Sequence, residues 1–389
     1  MGKKENVKDV MLLHSQAKVK FYAEYLKRYL RILCLSDKVD TINIFDVFCG
    51  MGIYKDGNKG SSVVAYDEIC NCLNDPMFQN RGTKISLWLN DIDTSKIDIV
   101  RQYVSEHKNQ SCTVNFCNKD INQMFSIVKD EISVFSPHTR NLIFIDPYGY
   151  KDIKGGLLYD LLNDKSEVIL FLPISFMYRF SKSALEDDDN KYQALKNFTD
   201  SLLNKFQKEQ ILQTQSVEDY IEIIKDGLKF GNEVKTTSYV IERDKVNSFA
   251  LFFMTRHIYG LEKILEVKWQ LDEKNGKGFR LPQANNLFSD FFNQQDTVSA
   301  QKDIFEQLKD VIINALSEPR DNRALYSIVL EHEFLPKQAN EVLRYLQNND
   351  KRFVVTKYGT DIPARKNSFY LGWKHFKLQP MVEFKYINQ

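Results

Sequence analysis

A glycine-rich segment with an acidic first residue comes directly after an apolar run in this sequence. The segment Asp46–Gly52 reads D-V-F-C-G-M-G, and the run before it spans Thr41–Val47. Glycines at the end of a strand let the backbone approach a nucleotide-like ligand, and the turn that follows offers free N–H groups. No third glycine follows before Gly57, so the spacing fits S-adenosylmethionine better than a nicotinamide dinucleotide. The expected cofactor-binding residues here are Asp46, Phe48, Gly50 and Gly52.

Further acidic residues follow the next two predicted strands. Asp91 comes after the strand candidate Ile85–Leu89, where a carboxylate can accept both ribose hydroxyls of a nucleoside. Asp93 would cap a helix that begins at Thr94, although capping alone would also explain either aspartate. Asp120 follows the third strand and is positioned to accept a hydrogen bond from the adenine amino group. We therefore add Asp91 and Asp120 to the predicted cofactor site.

The most specific segment is Asn141–Gly149, in which four apolar residues end at Asp146-Pro147-Tyr148-Gly149. Amino-group methyltransferases carry Asp/Asn-Pro-Pro-aromatic at this point: the side chain and a proline carbonyl accept hydrogen bonds from the target NH2, and the ring stacks on the base. Asp146, Pro147 and Tyr148 fill these positions, without the second proline. A strand-terminating turn, in which Asp-Pro is common, is the alternative.

Composition excludes several classes of protein. The 389 residues carry 53 basic and 52 acidic side chains, so the protein lacks the overall positive charge that is typical of nucleic-acid-binding proteins. Any contact with a polyanion must come from a local basic patch. The six cysteines show no paired CxxC spacing, as expected for reduced intracellular thiols. No stretch of eighteen apolar residues occurs. These features predict a cytoplasmic protein that makes no membrane contact and binds no metal.

The elements that must position these residues alternate between strand and helix, which predicts a parallel sheet covered on both faces. Apolar residues recur with the spacing of an amphipathic helix in Leu13–Leu33, Thr94–Glu106 and Asp120–Ile132. The remaining strand candidates are Thr113–Phe116, Leu142–Ile145 and Val168–Leu172, followed after a polar helical insertion (181–231) by a hairpin of Thr236–Arg243 and Ser248–Arg256. A final antiparallel hairpin is characteristic of methyltransferase sheets, so the predicted fold class is α/β, a Rossmann-like class I methyltransferase sheet with a helical insertion.

The C-terminal region predicts a separate winged-helix-like α+β domain. Three helical patterns, Asp303–Leu316, Arg323–His332 and Lys337–Leu346, precede a hairpin with predicted arms Arg352–Thr356 and Ser368–Trp373. Basic residues in this region could contact phosphates, and the nucleic-acid-binding candidates are Lys337, Arg344, Lys357 and Arg365. The expected division is an N-terminal helical segment (1–39), the methyltransferase domain (40–275) and the winged-helix-like domain (300–380).

The sequence resembles the three-Cys-motif partner (TcmP) family over most of its length. The resemblance lies in His14–Lys18 with Tyr29-Leu30, in Asp46–Gly52, in Ile145–Gly149, and in the stretch from Arg256-His257 through Gly260-Leu261 to Trp269. Family members typically read Asp-Leu-Phe-Ala-Gly-Pro-Gly and Asp-Pro-Phe-Gly at the two key places, so Cys49, Met51 and Tyr148 are departures. The resemblance implies a methyltransferase-like fold and a partner with a three-cysteine motif of the radical-SAM type. The catalytic roles transferred from these motifs are an analogy.

The leading hypothesis is an enzyme that transfers a methyl group from S-adenosylmethionine to an exocyclic amine of a base in RNA or DNA. The alternative is a non-catalytic binding or scaffold protein that keeps the fold and serves its radical-SAM-type partner or a phage-defence complex. The balanced charge and the missing second proline are consistent with that alternative. A nicotinamide oxidoreductase is disfavoured by the glycine spacing and by the predicted antiparallel end of the sheet.

Overall fold

The chain folds as two units. The computed structural model describes residues 10–78, 81–107, 112–134, 136–186, 190–281 and 289–387. The first unit comprises Met1–Lys263 and Lys277–Leu281, and the second comprises Ile264–Gly276 and Pro282–Gln389. Among the helices of these described ranges, none is long and apolar enough to cross a membrane.

A mixed sheet forms the centre of the first unit. Its strands are β1 (Thr41–Asp46), β2 (Lys84–Asn90), β3 (Cys112–Cys117), β4 (Thr139–Ile145), β5 (Ser166–Leu172), β6 (Lys235–Glu242), β7 (Ser248–Thr255) and β8 (Gly278–Phe279). They lie in the order β3-β2-β1-β4-β5-β7-β6-β8. The first five strands run parallel, and β7 is antiparallel to both β5 and β6. This is the strand order of a Rossmann-like methyltransferase sheet, so the predicted fold class is confirmed.

The central strands are apolar because helices cover both of their faces. Every residue of β5 is buried, and in β1 only the first residue is partly exposed. Parallel strands covered in this way read as continuous apolar runs rather than alternating ones, which is why they could be recognised in the sequence. The short parallel strand β8, which pairs with β6 through Val240 and Ile241, was not predicted.

The helices that follow the strands place their first residues at the carboxyl edge of the sheet. The helices of the first unit, whether or not they follow a strand, are α1 (Leu13–Cys34), α2 (Ser61–Asn74), α3 (Thr94–Glu106), α4 (Ile121–Ser133), α5 (Gly155–Leu161), α6 (Ile174–Glu186), α7 (Gln193–Leu202), α8 (Lys205–Gln213) and α9 (Val217–Gly227), and α10 (Ile258–Leu271) continues into the second unit. The predicted helical insertion (181–231) contains the end of α6, a 3-10 turn at Asn190–Tyr192, and α7–α9.

Helix α1 packs an aromatic stripe on the sheet. Tyr22 stacks on Phe144 of β4 with ring centroids 4.3 Å apart, and Tyr25 meets Phe253 of β7 edge-on at 5.0 Å. Both tyrosines are fully buried. Burial of each ring contributes about 2 kcal/mol or more, which fixes the helix against the sheet and brings its first turns to the carboxyl ends of β4 and β5.

The second unit contains helices and a small antiparallel sheet. Its elements are α11 (Ser289–Ala315), β9 (Arg320–Asp321), α12 (Asn322–Glu331), α13 (Pro336–Asn349), β10 (Phe353–Lys357), α14 (Trp373–Phe376) and β11 (Val382–Tyr386). The strand order is β10-β11-β9. This arrangement is compatible with the predicted winged-helix-like domain.

The predicted second arm of the C-terminal hairpin, Ser368–Trp373, is wrong. β10 pairs instead with β11, in a register that joins Phe353 to Tyr386. Phe369 and Leu371 are buried in a segment that belongs to no strand, and Tyr370 between them has a φ of +55°. The chain then continues into α14. The alternating pattern of apolar residues therefore predicted a strand, but this segment forms no ladder of hydrogen bonds with a neighbouring strand.

Candidate active site

The loop after β1 needs its glycines for two different reasons. Gly50 and Gly52 have φ values of +60° and +70°, a region that L-residues rarely adopt. A Cβ on Gly52 would lie 2.5 Å from Cγ2 of Val100, whereas a Cβ on Gly50 would meet nothing within 4 Å. The loop is held by hydrogen bonds from Cys49 N–H to the Asn90 carbonyl and from Gly60 N–H to the Gly52 carbonyl. Gly50 therefore faces open space and Gly52 faces packed side chains.

Asp46 lies buried at the base of this loop. The hydroxyl of Ser61, the first residue of α2, donates to Asp46 Oδ2 at 2.7 Å. Asp46 Oδ1 is buried and has no hydrogen-bond partner among the described residues. Burial raises the pKa of Asp46 to about 7, against the lowering effect of the Ser61 hydrogen bond. The Ser61 hydroxyl therefore fixes the Asp46 carboxylate at the base of the loop.

Asp91 and Tyr148 are joined through Lys96. Lys96 Nζ lies 3.1 Å from each carboxylate oxygen of Asp91 and also donates to the hydroxyl of Tyr148. The Asp91 side chain is 2% exposed, and Tyr148 is 72% exposed. Asp93 is the N-cap of α3, as predicted, and accepts a hydrogen bond from Ser95 N–H. Lys96 thus spans from the end of β2 to the segment after β4.

Asp146 forms an ion pair with Lys18 of α1. The side chains are 19% and 14% exposed, and the Lys18 ammonium also lies 4.7 Å from the ring centroid of Phe171. One cation of α1 therefore reaches the end of β4. An ion pair holds the carboxylate in place and leaves lone pairs on it for other donors.

Three parallel rings form a wall beside this ion pair. His14 stacks on Phe249 with ring centroids 5.3 Å apart, and Phe249 stacks on Phe171 at 4.9 Å. Burial, together with the positive charges of Arg243 and Lys18, lowers the pKa of His14 to about 4. The imidazole is therefore neutral at pH 7 and presents an uncharged flat face.

One cavity of about 430 Å³ joins the two predicted motifs. Six predicted site residues line it: Phe48, Gly50, Gly52, Asp146, Pro147 and Tyr148. Asp46 and Asp91 are not among its lining residues, but their partners Ser61 and Lys96 are. Asp120 is the exposed N-cap of α4, where it accepts a hydrogen bond from Gln123 N–H, and its predicted contact with adenine stays a prediction.

Local sequence carries little sign of the cavity's other residues. Lys18 and His14 share a helical face, and that spacing alone did not distinguish a site from a surface. Lys96, Arg243 and Phe249 carry no motif, and they become recognisable only once the sheet brings the ends of β2, β4, β5 and β7 together.

The predicted nucleic-acid-binding residues all belong to the second unit. Lys337 and Arg344 lie on α13, Lys357 ends β10, and Arg365 lies in the segment between β10 and α14. All four side chains are exposed. Their role remains a prediction.

Comparison with known proteins gives structural similarity at low sequence identity. No family model and no curated protein matches the chain. Human methyltransferase-like protein 13, solved in complex with SAH, is 12% identical, with a TM-score of 0.34 over 71% of this chain and 99% of that one. An O-methyltransferase from Bacillus cereus, also solved with SAH, is 10% identical, with a TM-score of 0.32 over 60% and 80%. The Streptomyces achromogenes O-methyltransferase TomG, solved with SAM, is 12% identical, with a TM-score of 0.31 over 60% and 79%. The fold assignment comes from the strand order.

Proposed function

We propose that this chain is an S-adenosylmethionine-dependent methyltransferase that acts on an exocyclic amine of a nucleic-acid base. The single observation that carries the proposal is the cavity of about 430 Å³, which the glycine loop after β1 and the segment Asp146–Tyr148 line together. A methyl donor held at the loop would lie beside acceptors suited to an amino group. In-line transfer to nitrogen depends on such positioning more than on a strong base.

The residues of the loop fit the cofactor. Gly50 leaves open space where a side chain would project, and Ser61, whose hydroxyl donates to Asp46, lines the cavity. Asp91, at the end of β2, would accept from the ribose hydroxyls, and Asp120 from the adenine amino group. The cofactor supplies an electrophilic methyl group on a sulfonium. Asp46, Phe48, Gly50, Gly52, Asp91 and Asp120 would hold it.

The acceptor side would be formed by Asp146, Pro147 and Tyr148. Lys18 holds the Asp146 carboxylate in place. The remaining lone pairs of this carboxylate and the Pro147 carbonyl would accept hydrogen bonds from the amine, which would direct the nitrogen lone pair toward the methyl group. The exposed ring of Tyr148 would stack on the base. When the N–CH3 bond forms and the S–CH3 bond breaks, the amine loses one proton, which Asp146 can accept and pass to solvent.

Membership of the three-Cys-motif partner family is a further part of the proposal. Three segments that carry the resemblance, represented by His14 and Lys18, by Gly50 and Gly52, and by Asp146–Tyr148, line the same cavity. They are distant in sequence, so their convergence supports a shared functional origin. A three-Cys-motif protein of the radical-SAM type would then be a partner, and the exposed basic residues Lys337, Arg344, Lys357 and Arg365 would contact RNA or DNA.

The experiment begins with calorimetric titration of S-adenosylmethionine and S-adenosylhomocysteine into the wild type and the variant Gly50→Ala/Asp91→Ala. Micromolar binding that the variant loses supports the cofactor site. Transfer of a labelled methyl group to total RNA or genomic DNA, abolished by Asp146→Ala, then supports the acceptor site. Absence of binding at millimolar ligand would contradict the proposal.

A second candidate function is a non-catalytic scaffold, and one observation favours it. The two key carboxylates, Asp91 and Asp146, are each paired with a lysine inside the protein. Such pairs can stabilise a fold without turnover. Cofactor binding without methyl transfer to either nucleic acid, in the presence of the partner, would favour this candidate.

A further inference from the structure

Lys96 contacts both the cofactor side and the acceptor side of the cavity. Its ammonium lies 3.1 Å from each oxygen of Asp91, donates to the Tyr148 hydroxyl, and is 4.7 Å from the centroid of the Tyr148 ring. Its side chain is 12% exposed. Lys96 therefore connects the predicted ribose acceptor with the predicted base-stacking ring.

The hydrogen-bonding capacity of Asp91 limits what can bind there. Its Oδ1 atom accepts from Asp93 N–H at 2.9 Å as well as from Lys96, while Oδ2 accepts from Lys96. A carboxylate oxygen accepts about two hydrogen bonds. A ribose diol that donates to both oxygens of Asp91 must therefore displace Lys96 from at least Oδ1.

We propose that Lys96 is a positioning residue that couples cofactor binding to the placement of Tyr148. In the ligand-free protein Lys96 holds Asp91 and Tyr148 together. Ribose hydroxyls that bind Asp91 displace the ammonium, which releases the Tyr148 hydroxyl and lets the ring move toward an incoming base. This inference rests on the proposed function, because it requires the cofactor's ribose at Asp91.

The exposed position of Tyr148 makes this movement compatible with the fold. A side chain that is 72% exposed changes rotamer without opening the core. Asp91, in contrast, is buried and held by the backbone of the α3 cap. The moving parts are therefore Lys96 and Tyr148, and Asp91 stays in place.

Displacement of Lys96 reduces the apparent affinity for the cofactor, because the binding-competent state is only a fraction of the free protein. Removal of the ammonium should increase the fraction of the free protein that is competent to bind the cofactor. For Lys96→Met we expect S-adenosylhomocysteine to bind about tenfold more tightly, as it would if the competent state made up about one tenth of the wild type. Tyr148→Phe should act in the same direction but less strongly. The two effects should be less than additive in the double variant, because both loosen the same interaction.

The experiment is calorimetric titration of S-adenosylhomocysteine into the full-length wild type, the two single variants and the double variant. Lys129→Met is the matched control, since Lys129 forms an exposed ion pair with Asp160 at 2.7 Å and does not line the cavity. Its affinity should stay within about twofold of the wild type. Unchanged or weaker binding by Lys96→Met overturns the coupling while leaving the cofactor site intact. If the wild type does not bind, the proposed function fails as well.

A spectroscopic measurement tests the placement of Tyr148 directly. With 3-fluorotyrosine introduced at position 148, the fluorine resonance of the wild type should shift when S-adenosylhomocysteine is added. In Lys96→Met the ligand-free resonance should already lie near the bound position. A purely structural lysine would leave the ligand-free resonance of Lys96→Met away from the bound position, and that result would overturn the inference.

Discussion

Lys18 and Asp146 lie 128 residues apart in the sequence and form an ion pair at the carboxyl edge of the sheet. Lys18 is brought there by α1, whose aromatic stripe packs on β4 and β7, and Asp146 by the end of β4. The pair thus joins the N-terminal helix to the residue proposed to orient the methyl acceptor. It is mostly shielded from solvent, so neither charge can be removed without consequence for the other.

Replacement of Lys18 by Met should lower the free energy of unfolding by about 1–3 kcal/mol, because the Asp146 carboxylate would be left largely buried without its counterion. Urea denaturation measures the change. The double variant Lys18→Met/Asp146→Asn should be less destabilised than the sum of the single variants. Lys20→Met, on an exposed position of the same helix, should cost less than about 0.5 kcal/mol. Strict additivity in the cycle would mean that the pair contributes nothing.

Gly50→Ala and Gly57→Ala should separate backbone strain from ligand contact. The two glycines have φ values of +60° and +81°, and a Cβ on either would meet nothing within 4 Å. Each substitution should therefore cost about 1 kcal/mol of stability, from the left-handed backbone alone. Only Gly50 lines the cavity, so only Gly50→Ala should weaken S-adenosylhomocysteine binding, by tenfold or more. Equal affinities in calorimetry would place the ligand elsewhere.

Glu167 should make the stability of the protein fall as pH rises. Burial raises its pKa to about 7, against the lowering effects of hydrogen bonds from Tyr25 and Thr255 and of the charge on Arg140. Since the folded-state pKa lies above the ordinary value of 4.5, the folded protein holds this proton more tightly than the unfolded chain between these two pH values. The stabilisation is complete below pH 4.5 and is lost as pH rises through 7.

Glu167→Gln removes this titration and retains an oxygen that can accept from Tyr25. Relative to the wild type, the variant should therefore gain unfolding free energy as pH rises from 4.5 to 8, by on the order of 3 kcal/mol at most. Urea denaturation at several pH values measures the difference in unfolding free energy between the variant and the wild type. The titration of other groups cancels in this difference. Glu209→Gln, at an exposed position, should give a flat difference. A flat difference for Glu167→Gln would show that its pKa is ordinary.

The sheet could be predicted from the sequence because its signals are local. The buried strands β1, β4 and β5 are short apolar runs, and Asp46 and Asp146 come at the ends of the first two, so chain order placed both carboxylates at one edge of a parallel sheet. Asp93 could also be predicted as a helix cap, since its side chain bonds a backbone N–H two residues away. These inferences needed only neighbouring residues.

The interactions between distant segments could not be predicted in this way. Lys18 meets Asp146, and Lys96 meets Tyr148, only because α1 and α3 pack against particular strands, and neither lysine differs in its local sequence from surface lysines. The prediction of the second hairpin arm was wrong for a different reason. The local pattern around Phe369 reflects burial, but a strand also needs a partner strand. That partner, Val382–Tyr386, lies farther along the chain.

Charge reversal in the second unit should test nucleic-acid binding separately from cofactor binding. Lys357 and Arg365 are exposed, and their proposed binding to phosphates would release counterions. Lys357→Glu/Arg365→Glu should weaken binding to a mixed-sequence RNA and reduce the slope of log affinity against log salt by about 1 for each phosphate that is no longer neutralised. Affinity for S-adenosylhomocysteine should not change, because neither residue lines the cavity. Fluorescence anisotropy at several salt concentrations gives the slope, and a slope equal to that of the wild type would exclude these residues from the interface.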